Sequence, residues 1–260
     1  MLYFFTFGSI MNLHRKEKVV KLPSISDLLK AGVYFGHKKE HLDPRAKDCV
    51  WAIRDRIAVI DVNKTLNSLE KALKFIEKEV KEGKIILLLG TKIQAKEKIK
   101  KMVEETGMPG IWQRWPGGLL TNFETVLKSL KKMEGLDAKI ADPSFGKLAR
   151  KEKLLLRDEA KRLHGMLDGL KNLKTRPDVL FIVDAHKERG AIVEAKKLKV
   201  AVVAICDTDA DPKLCDFPIY ANDDSFQSID LILSLVSETI LKNKKVKKEE
   251  KDDREGEKAS

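Results

Sequence analysis

Five short apolar runs constrain this chain more than any other feature of its sequence, because helical patterns separate most of them. The runs lie at residues 57–61, 85–89, 110–112, 179–183 and 200–205. Apolar runs of this length are typical of parallel strands that are buried on both faces. Between them, apolar residues recur every three or four positions, as in 66–80, which predicts covering helices. Strands that alternate with helices predict a three-layer α/β domain with a parallel sheet.

The stretch Arg114–Asn122, after the third run, interrupts the alternation of strands and helices. Pro116 cannot donate a backbone hydrogen bond and favours an extended backbone at the residue before it. Gly117 and Gly118 supply the freedom for a tight turn and for the close approach of another chain segment. Thr121 or Asn122 can cap a following helix. We therefore expect a sharp turn that leads into a new helical element.

Two amphipathic arms follow this turn and predict an antiparallel helical hairpin. Each arm has apolar residues three or four positions apart, with lysine and arginine between them. The first stripe is Phe123, Val126, Leu127, Leu130 and Met133, and the second is Leu156, Ala160, Leu163, Leu167, Leu170 and Leu173. The segment from Gly135 to Gly146 is expected to be the connecting loop. Periodicity alone leaves open whether this is an ordinary helical insertion or a basic arm that lies on a polyanion.

These patterns divide the chain into four regions. Residues 24–122 and 175–241 form the expected α/β domain, and 123–174 form the inserted hairpin. Residues 1–23 are expected to be an N-terminal extension outside the fold, either flexible or the product of an incorrectly assigned start. Residues 242–260 carry many charges of both signs and are expected to be a disordered tail.

Composition narrows the class of partner. The chain is 43% apolar, which is ordinary, but 35% of its residues are charged and its formal net charge is +11. A basic excess of this size makes nucleic acid or another polyanion the first partner to consider. The alternative is a soluble lysine-rich protein that has no such partner. The three cysteines form no CxxC pair or even set, which fits a reducing cytoplasm. No apolar run is long enough to span a membrane, and the first residues lack the features of a signal peptide.

The carboxyl ends of the predicted strands are where an α/β enzyme would carry its site. Gly90-Thr91-Lys92 stands at one such end, but neither GxxxxGK[ST] nor GxGxxG occurs. We expect Lys92 and Lys96 to lie on an exposed basic helix face instead. Acidic residues end two other strands, and Asp184 and Asp207, with a histidine such as His186 or His37, could surround a divalent cation. No spacing is diagnostic, and turns and caps explain these acids more simply, so we commit to no metal site and require no cofactor.

The chain resembles the ribosomal protein S2 family of the bacterial small subunit. The resemblance is carried by Leu29-Lys30-Ala31-Gly32-Val33-Tyr34-Phe35-Gly36-His37 and by Arg114-Trp115-Pro116-Gly117-Gly118-Leu119-Leu120-Thr121-Asn122, and it extends over about 24–241. It implies a flavodoxin-like parallel sheet with an inserted α-helical coiled-coil hairpin. It also implies a non-enzymatic, cytoplasmic protein that binds small-subunit rRNA between head and body, and that in bacteria helps to seat ribosomal protein S1. Asp184-Ala185-His186-Lys187-Glu188 departs from the commoner Asp-Ala-x-His-Glu, which puts a family metal site in doubt.

From this resemblance and the basic excess, we predict an RNA-binding scaffold with neighbouring ribosomal proteins as further partners. It would have no membrane or small-molecule partner and would not be a homo-oligomer in the ribosome. Aromatic and basic residues in glycine- and proline-punctuated loops can stack on bases and neutralise phosphates. The candidate RNA contacts are Tyr34, His37, Lys38, Lys39, Arg45, Arg54, Arg56, Lys92, Lys96, Arg114, Trp115, Lys147, Arg150 and Lys151. Trp115 has an alternative role, which is to pack the base of the hairpin onto the sheet.

Two rival hypotheses come from other functional classes. The first is a flavodoxin-like enzyme that binds a small phosphorylated ligand at the strand ends of Asp184 and Asp207, with Lys92 facing inward. The second is a basic protein that binds acidic protein partners through its coiled coil. RNA binding through phosphates would instead be strongly weakened by salt.

Overall fold

The structure, a computed structural model, describes residues 21–258, with side chains over 21–244. Residues 1–20 of the expected N-terminal extension therefore lie outside the described residues. The helices are α1 (Ile25–Lys30), α2 (Val62–Glu82), α3 (Ile93–Thr106), α4 (Phe123–Ala141), α5 (Arg150–Leu167), α6 (Arg189–Lys197) and α7 (Phe226–Lys258). The strands are β1 (Phe35–Lys38), β2 (Val50–Arg54), β3 (Ile57–Ile60), β4 (Ile86–Leu89), β5 (Gly110–Ile111), β6 (Val179–Ile182), β7 (Ala201–Cys206) and β8 (Phe217–Tyr220). In the described part, no helix is long and apolar enough to cross a membrane.

Strands β4 to β8 form a five-stranded sheet in the order β5-β4-β6-β7-β8, and every pair in it is parallel. Numbered along the chain within this sheet, that order is the 2-1-3-4-5 order of flavodoxin-like folds. The order reverses between β4 and β6, so a crevice opens there at the carboxyl ends of the strands. The predicted flavodoxin-like α/β fold is thereby confirmed.

One of the five runs belongs to a different sheet. The prediction that residues 57–61 form a buried parallel strand is wrong, because β3 pairs antiparallel with both β1 and β2 in a separate three-stranded sheet. Asp55 and Arg56 connect β2 to β3 with φ of 48° and 65°. Positive φ at both central residues matches the right-handed twist of a two-residue hairpin. The fifth parallel strand is β8, which is not among the five apolar runs.

The parallel sheet separates two apolar clusters because its side chains alternate between faces. On one face, Ile86 and Leu88 pack with residues of α2, α3 and α7. On the other, Leu87 and Leu89 pack with α6 and with the two hairpin helices. Residues of the hairpin seam, such as Leu130 and Leu163, belong to this second cluster. The hairpin core is therefore continuous with the core of the α/β domain.

Three helical and loop boundaries differ from the sequence expectations. Helix α4 continues through Gly135 to Ala141, because the buried Leu136 extends its apolar seam into the segment expected to be a loop. The expected loop at Tyr34–Lys39 contains strand β1, held by its pairing with β3. Helix α7 continues to Lys258 through residues expected to be disordered. Charges of both signs along a helix are compatible with a solvated surface, so the lack of apolar residues does not by itself end the helix.

Candidate nucleic-acid interface and the polar cluster at the strand ends

The turn before the hairpin is organised by one carboxylate, that of Glu194 on α6. Its Oε1 accepts hydrogen bonds from Trp115 Nε1 at 3.1 Å and from the Gly118 backbone N–H at 2.8 Å. Its Oε2 accepts from the Leu120 N–H at 3.1 Å and, at 3.4 Å, from the N–H and hydroxyl of Thr121. Gly118 has φ of 84°, which requires the conformational freedom of glycine. The turn thus presents Arg114 to solvent from a fixed base.

Burial would by itself raise the pKa of Glu194, but the hydrogen bonds from Gly118, Trp115 and Leu120 lower it overall. The carboxylate therefore stays charged at neutral pH and satisfies several hydrogen-bond donors in the turn before α4. Trp115 is half-buried against the second apolar cluster, in agreement with its alternative role of packing the base of the hairpin.

Four of the candidate RNA contacts gather around the β2–β3 hairpin. In the antiparallel sheet, Ile57 of β3 lies opposite Lys38 of β1 on one side and opposite Arg54 of β2 on the other. The Lys39 N–H donates to the Arg56 carbonyl. All four basic side chains are exposed. The Arg56 side chain is 82% exposed although it contacts Glu40 at 2.7 Å. This hairpin therefore concentrates positive charge on a small protruding surface.

Aromatic side chains lie beside these basic groups. Arg54 lies over the ring of Trp51, with 5.4 Å from Cζ to the ring centroid. Trp51 is 63% exposed. Tyr34 is half-buried and lines an open groove of about 480 Å³ together with Leu29, Trp51, Arg54 and Val59. The surface can offer both stacking and charge to a partner.

The remaining candidates differ in whether acidic side chains of the same chain already hold them. Arg114, Lys147, Arg150 and Lys151 are exposed, and Lys96 is partly exposed. The guanidinium of Arg45 instead contacts Asp43 and Asp211, both at 2.7 Å. His37 and Lys92 point into a polar cluster at the strand ends.

The predicted exposed position of Lys92 is wrong. Its side chain is only 14% exposed, and its ammonium contacts Asp184 at 3.0 Å, Asp223 at 2.6 Å and Asp224 at 2.7 Å. Burial favours the neutral amine, but these carboxylates raise the pKa of Lys92 overall. Lys92 is the residue directly before the first turn of α3, shortly after the end of β4. From this position its side chain points inward. No local feature of the sequence indicates this inward position, because the partners of Lys92 follow distant strands.

The same cluster fills the crevice at the reversal of strand order. Lys92 and Thr91 come after β4, while Asp184 and Glu188 come after β6. The Thr91 hydroxyl donates to the buried carboxylate of Glu188. Burial raises the pKa of Glu188 above the usual range of a glutamate. The place where a flavodoxin-like fold binds ligands is thus occupied by the chain's own side chains.

Acidic groups outnumber cationic ones at the other end of the cluster. His37 Nδ1 lies 3.3 Å from Asp207 and Nε2 lies 3.2 Å from Asp224. The close contact with Asp207 raises the pKa of His37 to about 9. Burial, followed by the nearby Asp184 and Asp207, raises the pKa of Asp223 to about 8. The region therefore favours binding of positive charge or of a proton.

One set of these residues fits a divalent cation. Ligand atoms of His37, Asp207 and Asp223 lie within 4.8 Å of one another. Among the described residues, Asp223 Oδ2 is buried and has no hydrogen-bond partner. An imidazole with two carboxylates is a donor set that zinc accepts. A cation there would neutralise the excess acid and join β1 to the ends of β7 and β8.

This set differs from the weak metal candidates of the sequence. Asp207 belongs to it, but the carboxylate of Asp184 is occupied by Lys92 and by the Lys187 N–H. His186 is largely exposed, and its Nδ1 lies 3.0 Å from the Asp209 carbonyl. Sequence reasoning missed Asp223, although its position directly after β8 was a usable signal. It also missed Glu194, for which periodicity of α6 offered no signal.

Comparisons with known proteins give one consistent result. A family model described as Ribosomal protein S2 matches residues 28–243. Small ribosomal subunit protein uS2 of Thermus thermophilus is 41% identical over 218 residues, which are 84% of this chain and 85% of that protein. The uS2 protein of Coprothermobacter proteolyticus is 42% identical over 221 residues, covering 85% of this chain and 82% of the relative. For uS2 of Helicobacter hepaticus the identity is 37% over 230 residues, with 88% and 87% covered.

Proposed function

Because the chain belongs to the ribosomal protein S2 family of structural, non-enzymatic small-subunit components, we propose that it binds small-subunit rRNA between head and body and thereby supports translation. It would act in the cytoplasm, on the ribosome, next to other ribosomal proteins. Membership of a non-enzymatic family removes the rival hypothesis of a flavodoxin-like enzyme, even though Lys92 faces inward as that hypothesis required.

The observation that carries the rRNA proposal is the basic surface of the β2–β3 hairpin. Lys38, Lys39, Arg54 and Arg56 surround one tight turn, are exposed and lie beside the exposed Trp51. Protruding cations of this kind neutralise phosphates and release counterions, and RNA shape then fixes the register.

Two further groups extend the proposed contact surface. Arg114 projects from the turn fixed by Glu194, and Lys147, Arg150 and Lys151 lie at the hairpin tip. Lys96 lies on α3 and is a peripheral contact. We leave His37 and Lys92 out of the proposed contacts because carboxylates surround both side chains, and we leave Arg45 out because two aspartates hold its guanidinium.

Sedimentation tests the placement on the subunit. A lysate is run through sucrose gradients at low and high salt, and the chain is followed by mass spectrometry. Co-sedimentation with the small subunit at low salt, weakened at high salt, is expected. Migration as a free protein at both salt concentrations would contradict the proposal.

A double variant of the β2–β3 hairpin tests whether its arginines contact rRNA. Arg54→Ala with Arg56→Ala removes two proposed phosphate contacts, so binding to rRNA should weaken and the slope of log K against log salt should fall by roughly 1.5. Lys71→Ala with Lys100→Ala is the matched control, because both lysines are exposed on the outer faces of α2 and α3. Equal slopes for the two double variants would exclude the hairpin as an RNA contact.

We also propose that the groove beside this hairpin seats ribosomal protein S1. Its lining is largely apolar and aromatic, with Leu29, Tyr34, Trp51 and Val59, and Trp51 is 63% exposed. Exposed aromatic side chains in a groove are typical anchors for a protein partner. Trp51→Ala should reduce retention of added S1 on small subunits about tenfold while incorporation of the chain stays intact. Unchanged retention would remove this groove from consideration.

A further inference from the structure

Helix α5 exposes two adjacent leucines on the side that faces away from α4. Leu154 is 60% exposed and Leu155 is 62% exposed. Neither belongs to an apolar cluster, whereas Ala160 and Leu163 on the opposite side are buried in the hairpin seam. Adjacent helical residues project about 100° apart, so the two leucines flank the outer surface of the helix. They therefore add nothing to the packing of the hairpin.

Basic side chains surround these leucines. Lys151 lies within one turn of both leucines, Lys161 lies two turns beyond Leu154, and Arg162 lies two turns beyond Leu155. Among the described residues, none of these three basic side chains forms an ion pair, in contrast to Lys132 of α4, which pairs with Glu159. Two acidic residues, Asp158 and Glu159, lie between the leucines and the distal basic pair, and Glu159 is paired with Lys132. Glu152 is a further exposed acid beside Lys151. Over the whole of α5, six lysine and arginine residues face three acidic ones, so the surface around the leucines is mixed in charge with a basic excess.

We infer that this leucine ridge, made of Leu154 and Leu155 with Lys151, Lys161 and Arg162, docks an acidic amphipathic helix of a neighbouring protein in the small subunit. Leucine side chains gain by removal from water against another apolar surface. The sugar–phosphate exterior of RNA offers them no such surface, so the ridge favours protein over RNA. Basic borders select a partner with Asp and Glu beside its apolar stripe. The inference rests on membership of the subunit. Of the residues in the ridge, Lys151 is also a proposed rRNA contact, whereas the two leucines, Lys161 and Arg162 are not.

The geometry of α5 favours a helix as the occupant. The helix has 18 residues, which gives a straight surface about 27 Å long. A second helix laid along it can place apolar residues on both sides of the ridge, three or four positions apart. Its acidic side chains then reach the basic residues on the two borders.

Site-specific photocrosslinking tests this inference in the assembled subunit. The full-length chain carries benzoylphenylalanine at position 158, between the leucines and the distal basic residues, and is reconstituted into small subunits that lack the natural chain. After irradiation and RNase digestion, mass spectrometry identifies what is attached. The same label at position 93, where Ile93 is 85% exposed on α3, provides the control. The expected product at 158 is an acidic peptide from a protein, resistant to RNase and absent with the label at 93.

Two double variants then test whether apolar contacts, charge or both bind the partner. Leu154→Ser with Leu155→Ser, and separately Lys161→Glu with Arg162→Glu, should each lower the crosslinked fraction at least about tenfold. Ile93→Ser should leave it unchanged. Attachment to RNA, attachment to a peptide without acidic excess, no attachment in incorporated chains, or indifference to either double variant would each overturn the inference. Loss of rRNA affinity in the β2–β3 hairpin variants would leave these outcomes unaffected.

Discussion

Replacing Glu194 should destabilise the chain more than any other single change on the surface of α6. Glu194→Ala removes the common acceptor of Trp115 Nε1, the Gly118 N–H and the Leu120 N–H, at 3.1, 2.8 and 3.1 Å. The two contacts of Thr121 at 3.4 Å are weak and add little. Each hydrogen bond to a charged acceptor contributes about 1.5–3 kcal/mol, and water can replace part of it in this half-open setting. We expect a loss of about 2–4 kcal/mol in the free energy of unfolding.

Thermal unfolding followed by circular dichroism measures this loss. For a chain of this size, 1 kcal/mol corresponds to roughly 2–4 °C, so the melting temperature should fall by roughly 4–16 °C. Glu194→Gln should give an intermediate loss, because the amide keeps one acceptor but turns a donor towards other N–H groups. The matched control is Glu97→Ala, because Glu97 is an exposed helical glutamate on α3. Equal melting temperatures for the Glu194→Ala and Glu97→Ala variants would refute the assignment of these hydrogen bonds.

Acid provides an independent check on the same carboxylate. The folded-state pKa of Glu194 lies below its ordinary value, since the hydrogen bonds from Gly118, Trp115 and Leu120 outweigh its burial. A lowered pKa contributes stability above the unfolded-state pKa, and this contribution is lost as the pH falls through the folded-state pKa. The stability difference between the natural chain and the Glu194→Ala variant should therefore shrink in acid. A difference that grows in acid would mean that the carboxylate does not accept these bonds as a charged group.

Three further predictions concern other sites. Lys92→Met leaves buried carboxylates without their cation and should lower the free energy of unfolding, measured by chemical denaturation, by about 3–5 kcal/mol. A loss below about 1 kcal/mol would contradict this role of Lys92. Gly169→Ala should lower the free energy of unfolding by about 2–3 kcal/mol, because an added Cβ would lie 2.1 Å from a backbone carbonyl oxygen. Gly117→Ala is its control and should change stability little, because no heavy atom lies within 4 Å of the added Cβ. Hydrogen bonds to two aspartates raise the pKa of His164 in the hairpin. Its contribution to stability should therefore be complete below the ordinary histidine pKa and fall as the pH rises through the raised value. A His164→Gln variant whose stability has the same pH profile as the natural chain would contradict this.

Sequence patterns could predict the parallel sheet because its strands are short, apolar and separated by amphipathic helices. The same logic failed for Ile57–Ile60, since an apolar run does not say whether its neighbour is parallel or antiparallel. The partner strand Val50–Arg54 was overlooked because its turn uses Asp55 and Arg56 rather than the usual Asn-Gly or Asp-Gly. Backbone sterics alone could not have identified that turn.

The candidate site was harder to predict than the fold because its contacts join distant parts of the chain. Charge alone predicts that a lysine is exposed to solvent, yet Lys92 is held by Asp184 and Asp223. Asp184 follows β6, and Asp223 follows β8 at a separation of 131 residues. Glu194 looks like any polar residue on a helix, and its donors lie 73 to 79 residues away. Sequence could predict that acids such as Asp207 gather at one edge of the sheet, since parallel strands end there. It could not predict which side chain faces which.

The filled crevice explains why the proposed binding surfaces lie outside the α/β domain proper. In a flavodoxin-like sheet, ligands bind where the strand order reverses, here between β4 and β6. Lys92 with Asp184, and Thr91 with Glu188, occupy that place and stabilise the sheet from within. A partner must then be bound by elements added to the sheet, namely the small antiparallel sheet, the turn fixed by Glu194 and the helical hairpin. Each of these carries exposed basic side chains, as the proposed contacts with large partners require.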